Sequence, residues 1–293
     1  MPGRADGQRL KVGIFLPVDR PWAELRAMAE ATEELGFDSL WLQDHLIFRR
    51  PTGTAGAWEC WSLLSALAAA TRRVELGTLV VCMPFRNPAL LAKMADALDE
   101  VSGGRLILGV GAGWHEPEFT AFGYPFDHRA SRFEEGFTIL TSLLREGRID
   151  FEGRYHQARD CELRPRGPRS QAPPILVGTS GERMLRLTAQ RADLWNGCWF
   201  GSPAEVAPRR EAVDAACREV GRDPATLGRT AGLHVNLPGS TRRSGARCES
   251  PAQLAELLRG VAAEGIEHIQ IHPDPWTRDS IEALAPALRL LGN

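Results

Sequence analysis

The chain has 293 residues, 43% hydrophobic and 25% charged, a balance that excludes a disordered or collagen-like protein. Thirty-five Lys and Arg against 37 Asp and Glu leave a formal charge of -2. That gives no footprint for nucleic acid or an anionic membrane, and the expected partner is a small molecule. The six cysteines, Cys60, Cys82, Cys161, Cys198, Cys217 and Cys248, are widely spaced, so free thiols and no metal site are expected. The polar start, without a secretory or membrane-spanning apolar run, predicts a cytoplasmic chain.

In chain order, short aliphatic runs at 12–16, 39–42, 74–81, 106–110, 175–177, 193–195, 230–236 and 268–271 read as strands. Helical patterns follow them at 22–35, 58–71, 88–101, 129–146, 181–191, 203–220, 251–264 and 278–291. In the third, Pro88 suits a first helical turn, Leu91, Met94, Leu98 and Val101 recur at helical spacing, and Gly103 and Gly104 stop the run. Eight strand–helix units in one domain spanning 1–293 predict an α/β fold, a closed (β/α)8 TIM barrel. An open doubly wound sheet is disfavoured because no GxGxxG joins the first strand to the first helix. Residues 149–163 read as a hairpin inserted after the fourth helix. Residues 48–56 and 238–245 read as loops on the catalytic face, able to act as lids.

Barrel chemistry is built where strands finish. The second strand ends in Gln43, Asp44 and His45; the imidazole either exchanges a proton near neutrality, with Asp44 fixing its tautomer or the local backbone, or is a structural hydrogen-bonded histidine. After the fourth strand, Gly109, Gly111 and Gly113, with Ala112 between the last two, either let a flat ring lie on the backbone or pack a tight barrel corner. Gly178, Thr179, Ser180 and Gly181 open a helix and suit a phosphate, or serve as a plain N-cap. Asn196, after Trp195, can bond a heterocyclic edge or its own loop; Asn236 and His272 are weaker candidates. His115, His128, His156, His234 and His268 read as surface, loop or packing residues. Most of Arg49, Arg50, Arg242, Arg243 and Arg247 read as solvated surface charge, and they would hold an anionic ligand if the two loops met over the barrel mouth.

Four stretches carry a family likeness: GFDSLWLQDH at 36–45, RVELGTLV at 73–80, FRNPALLAKMADALDEVSGGRLILGVGAGW at 85–114 and PPILVGTSGERMLRLTAQRADLWN at 173–196. They resemble the bacterial luciferase-like monooxygenase superfamily, particularly its branch using the deazaflavin coenzyme F420. The resemblance implies a barrel with a segment inserted after the fourth helix, a two-electron redox enzyme and a homodimer. It also implies an active-site histidine with a neighbouring carboxylate at His45 and Asp44, and a phosphate-binding region at Gly178, Thr179, Ser180 and Gly181. Leu79, Val80, Val81 and Cys82 match the strand-three end, where deazaflavin-binding relatives carry a non-prolyl cis peptide against the ring. The sugar-phosphate dehydrogenase branch has a catalytic tryptophan and glutamate where this chain has Arg49 and Trp114; Glu116 or Glu118 could substitute for the missing carboxylate, and neither is assigned that role. The expected activity is hydride transfer between F420 and a small organic substrate, as reduction by the reduced coenzyme. The alternatives are an FMN-dependent monooxygenase and a non-catalytic flavin-binding barrel.

Overall fold

The computed structural model describes residues 9–50 and 53–292. Eight parallel strands form the barrel: β1 (Lys11–Phe15), β2 (Ser39–Leu42), β3 (Glu75–Thr78, resuming at Val81–Cys82), β4 (Leu106–Gly111), β5 (Ile175–Gly178), β6 (Leu194–Phe200), β7 (Gly228–Asn236) and β8 (His268–Asp274). Each pairs with its sequence neighbours; β8 pairs with β1 and β4 with β5, which closes the ring. The open-sheet alternative is thereby excluded.

Strand alternation divides the apolar residues into two layers. Leu40 and Leu42 of β2, Leu106, Leu108 and Val110 of β4, and Ile269 and Ile271 of β8 belong to the core between strands and helices. Phe15, Trp41, Leu79, Ile107 and Leu176 form a separate cluster, the filling of the cylinder. Trp41 fits because β3 has no side chain at Gly77, where a Cβ would lie 2.1 Å from the indole. Its Nε1–H donates to Ser39 Oγ at 2.7 Å, and that hydroxyl lies 2.7 Å from His268 Nε2. Asn196 Nδ2 donates to Thr230 Oγ1 and Gln270 Oε1 at 2.7 and 2.9 Å. The interior polar groups thus satisfy one another in part, with Asn196 Oδ1 and Gln270 Nε2 buried without a partner among the described residues.

The covering helices are α1 (Trp22–Glu34), α2 (Cys60–Ala70), α3 (Pro88–Ser102), α4 (Glu116–Phe122), α5 (Arg129–Glu146), α6 (Glu182–Arg191), α7 (Pro203–Glu219), α8 (Pro251–Ala263) and α9 (Arg278–Leu290). In α3 the Asn87 side chain accepts from the Ala89 and Leu90 amides, Pro88 opens the first turn, and Gly103 ends the helix at φ 68°. Val101 does not belong to its buried stripe and is 60% exposed; Leu91, Ala95, Leu98 and Ser102 form that face. A step of three residues on from Leu98 rotates away from it. The expected inserted hairpin is Arg148–Glu152 paired with Gln157–Glu162. Its turn is tied to α5 because the Glu135 carboxylate accepts from the backbone amides of Arg154, Tyr155 and His156 at 3.0, 2.8 and 2.9 Å.

Three elements differ from the sequence reading. The lid read as a loop at 48–56 is an antiparallel hairpin, Ile47–Arg50 against Gly53–Gly56; residues 51 and 52 and the Arg50 side chain lie outside the described part, as do residues 1–8 at the polar start. Strand six continues past Trp195 to Phe200. The short α4 was unforeseen, since seven residues opening with Glu-Pro-Glu carry almost no apolar periodicity. Because α4 precedes it, the helix read as fourth is α5. Among the described residues no helix is long and apolar enough to cross a membrane, and the six cysteines are unpaired.

Candidate active site

At the C-terminal ends of the strands lies a cavity of about 1010 Å³. It is bordered by Asp44, His45, Leu79, Val80, Cys82, Gly111, Ala112, Gly113, Gly178, Thr179, Ser180, Gly181 and Asn196, so the topology brings together residues read separately from five strand ends. Val81 is the exception. It is fully buried in the core between strands and helices, because successive residues of an extended segment face opposite ways. The Leu79–Val80 peptide within this stretch is cis, as is Cys198–Trp199 on β6.

His45 and Asp44 are not partners. Asp44 Oδ2 accepts from the Cys82 backbone amide at 2.9 Å and from Arg86 Nη1 at 2.5 Å, while Oδ1 accepts from Arg86 Nη2 at 3.1 Å. Arg86 also reaches Glu59, whose side chain accepts from the Trp61 and Ser62 amides at the start of α2. Burial pushes the Asp44 carboxyl up, against the hydrogen bonds and charge of Arg86. Of the two roles read for Asp44, the geometry supplies the backbone one: it ties β3 to the end of β2 and leaves the imidazole to another group.

That group is Glu118 of α4. Its Oε1 accepts from His45 Nδ1 at 2.9 Å and its Oε2 from the Leu46 amide at 2.9 Å. The side chains of His45 and Glu118 are 15% and 2% exposed. A carboxylate on Nδ1 selects the tautomer with hydrogen there. Nε2, which has no protein partner among the described residues, is left to exchange a proton within the cavity that His45 borders. Glu118 was invisible as a partner because 73 residues separate it from His45, and the helix that delivers it has no sequence signature.

The glycines of β4 follow the packing reading. A Cβ at Gly109 would lie 1.9 Å from Thr78 O, one at Gly111 2.7 Å from a Val80 methyl, and one at Gly113 2.5 Å from the Phe119 ring. Their missing side chains are taken up by the protein's own groups, so the space a ring would have entered is partly occupied by Val80. Gly113 also needs φ 77°.

Gly181, not Ser180, is the N-cap of α6, and no side chain caps that helix. Thr179 Oγ1 accepts from the Gly181 amide at 3.3 Å, and the Trp195 indole N–H holds the Thr179 carbonyl at 2.9 Å. Arg129, at the start of α5, borders the same cavity. Its Nη1 donates to Gly113 O at 2.6 Å and its guanidinium lies 4.0 Å over the Phe126 ring. Among the described residues no carboxylate lies within 4.0 Å of it. An uncapped helix start with a cation that lacks an anion suits a phosphate, and a cavity at the large end of the usual range suits an extended cofactor. Arg129 gave no sequence signal beyond being the first residue of a helix.

The arginine lid does not form as read. Arg49 and Arg243 are exposed, Arg247 faces Glu249 at 3.7 Å, and Arg242 turns to His272, its Nη2 lying 3.1 Å from His272 Nε2. None of these four borders the cavity, nor does any residue of 238–245, whereas Phe48 of the hairpin does. Asn236 holds its own loop through Ser244 O at 2.9 Å. His115, read as peripheral, borders the cavity, and His268 is buried in the barrel.

Known proteins share both sequence and architecture with this chain. It is 30% identical over 242 residues to the pyrimidine monooxygenase RutA of Stutzerimonas stutzeri, covering 73% of this chain and 65% of that protein's own length. It is 28% identical over 242 residues to the 5,10-methylenetetrahydromethanopterin reductase of Archaeoglobus fulgidus, covering 81% and 68%. The structure of an F420-dependent secondary alcohol dehydrogenase in complex with an F420-acetone adduct superimposes with a TM-score of 0.82 at 18% identity, over 96% of this chain and 99% of that one. The family profile described as luciferase-like monooxygenase matches residues 10–268. A match over most of the chain, on a closed barrel whose rim joins an imidazole to an uncapped helix start, makes the chain a member of the luciferase-like monooxygenase family.

Proposed function

We propose that the protein is an oxidoreductase that transfers hydride between coenzyme F420 and a small organic substrate, as reduction by the reduced coenzyme. The observation that carries this reading is one cavity holding the His45–Glu118 pair together with the uncapped start of α6 and Arg129. The likeness in fold to an F420-dependent dehydrogenase and the likeness in sequence to a reductase agree with it.

Bound there, the deazaflavin would supply or accept the hydride. The Ser180 amide and the Thr179 and Ser180 hydroxyls, with Arg129, would hold its phosphate, the Thr179 and Gly181 amides being engaged by Asn196 O and Thr179 Oγ1. His45 Nε2 gives or takes the proton that accompanies the change at the substrate, and Glu118 keeps the other ring nitrogen protonated through both states. Asp44 and Arg86 fix the backbone at Cys82, so that the rim of β3 keeps its position relative to His45. Phe48 and Trp114 limit the access of water to the imidazole.

Fluorescence titration of the protein with F420 and with FMN tests the cofactor. Saturable binding of F420 in preference to FMN is expected, and selective tight binding of FMN would overturn the choice. The second reading, FMN-dependent oxygenation, has in its favour the 30% identity to a monooxygenase. Absence of turnover with either reduced cofactor would leave a binding barrel.

A further inference from the structure

The His45 end of the cavity is a box of rings. The His45 ring centroid lies 4.3 Å from that of Phe48 at a tilt of 46° and 5.6 Å from that of Trp114 in an edge-to-face arrangement, and the His115 centroid is 5.5 Å from Phe48 and 5.2 Å from Trp114. All four side chains border the cavity. Two features of this box are unfinished. Trp114 is 66% exposed although its ring is held against two imidazoles. His115 Nε2 is buried with no hydrogen-bond partner among the described residues, a condition that native interiors rarely tolerate. An apolar surface without cover and an orphaned nitrogen side by side fit a ligand that is flat, apolar and carries one polar function.

Charge narrows the class. Of the acids that border the cavity, Asp44 is taken by Arg86 and the Cys82 amide, and both oxygens of Glu118 are engaged by His45 and the Leu46 amide. The cation in the lining, Arg129, is assigned to the phosphate by the proposed function on which this inference rests. Apart from the imidazoles of His45, committed to the transferred proton, and His115, no group in the box is left to neutralise a carboxylate, and none is left for an ammonium. We infer that the box around His45 is a substrate subsite for an uncharged aromatic carbonyl compound or the matching alcohol, with Trp114 and Phe48 as the residues that set specificity. The substrate oxygen would lie between the His45 and His115 rings, whose centroids are 6.4 Å apart, with a nitrogen of each imidazole as its partner, and its ring would cover Trp114.

The test measures binding of three probes by ligand-observed NMR: acetophenone, cyclohexyl methyl ketone and benzoate, each with the full chain alone and in the presence of F420. Acetophenone is expected to bind at least about tenfold more tightly than benzoate, which keeps the ring but adds charge, and more tightly than the non-aromatic ketone. Trp114→Ala and Phe48→Ala are each expected to weaken acetophenone about tenfold while leaving F420 affinity unchanged. Failure of acetophenone to bind, equal binding of benzoate or of the cyclohexyl ketone, or indifference of acetophenone to both substitutions would overturn the proposal. Each failure is distinct from a failure of the cofactor reading. If F420 does not bind while the probes rank as expected, the box stands and the cofactor falls; if F420 binds and the probes do not rank, the box falls alone.

Discussion

The two sides of the barrel mouth both carry histidine, and they treat it in opposite ways. On the β2 side, His45 Nδ1 meets the Glu118 carboxylate at 2.9 Å. On the β7–β8 side, His272 Nε2 meets the Arg242 guanidinium at 3.1 Å, and His234 stacks on Trp199 with ring centroids 5.0 Å apart and planes 5° from parallel. Burial and then Arg242 bring His272 down to about 2 and His234 to about 4, so both stay neutral at physiological pH. His45 faces a carboxylate, whereas burial and then a neighbouring cation disfavour the charged form of His272 and His234. Residue type is shared, and the neighbour decides which histidine carries chemistry and which builds a wall.

The largest effect expected from this contrast is at His45. His45→Ala should lower the rate of the chemical step by about 10²- to 10⁴-fold and leave coenzyme affinity nearly unchanged, read by single-turnover kinetics beside a fluorescence titration. A fully active variant would break the contrast outright. Glu118→Gln keeps the shape but loses the charge facing Nδ1, and a rate loss on the order of 10² is expected, checked in the same assay. Asp44→Asn, by comparison, should show its cost chiefly in thermal stability, because Asp44 bonds Arg86 and the Cys82 amide rather than the imidazole.

The neutral side is sharpened by pH. His268, in the barrel interior on β8, is brought down to about 3 by burial and then by Lys11. Its native pKa lies below the unfolded value near 6.5, so the unfolded chain takes up a proton that the folded chain refuses, and stability falls as pH drops from about 6.5 toward 3. That linkage amounts to about 2 kcal/mol by pH 5. Urea unfolding at pH 7 and pH 5 should show a loss to which His272 and His234 also contribute, and His268→Gln should reduce it by about 2 kcal/mol. The smallest effect belongs to the upper wall: His272→Gln and His234→Gln should leave the rate of proton transfer in the same order of magnitude, since neither imidazole carries the proton. A drop comparable to that of His45→Ala would reverse the roles of the two sides.

Much of this was legible in the chain. Each barrel strand is a short β-branched or aliphatic run, and each of the eight helices read is amphipathic enough to be bounded within a few residues, as α5 is at 129–146. The cluster at β5 could be read because Gly-Thr-Ser-Gly stands where a strand gives way to a helix, and His45 because it follows a strand directly. Glu118 could not. It sits on a seven-residue helix whose position depends on Phe119 packing against Phe85 and Phe126, contacts that have no pattern along the chain. The choice between the two roles read for Asp44 was hidden for the same reason. Adjacency in sequence suggested a pair, but residues next to each other on an extended backbone point apart, and Asp44 went to Arg86.

What the sequence determined by itself was the periodic architecture: alternating runs that bury one face on a closed sheet, and the set of strand ends at which polar residues gather. Local propensity and the hydrophobic effect act on neighbouring residues, and their record is written in order along the chain. Only the tertiary structure decided which carboxylate faces the imidazole, which space the β4 glycines leave, and which arginine remains without an anion at the cavity. Those outcomes depend on distances between residues tens of positions apart, where charge and packing act through space and spacing along the chain carries no record of them.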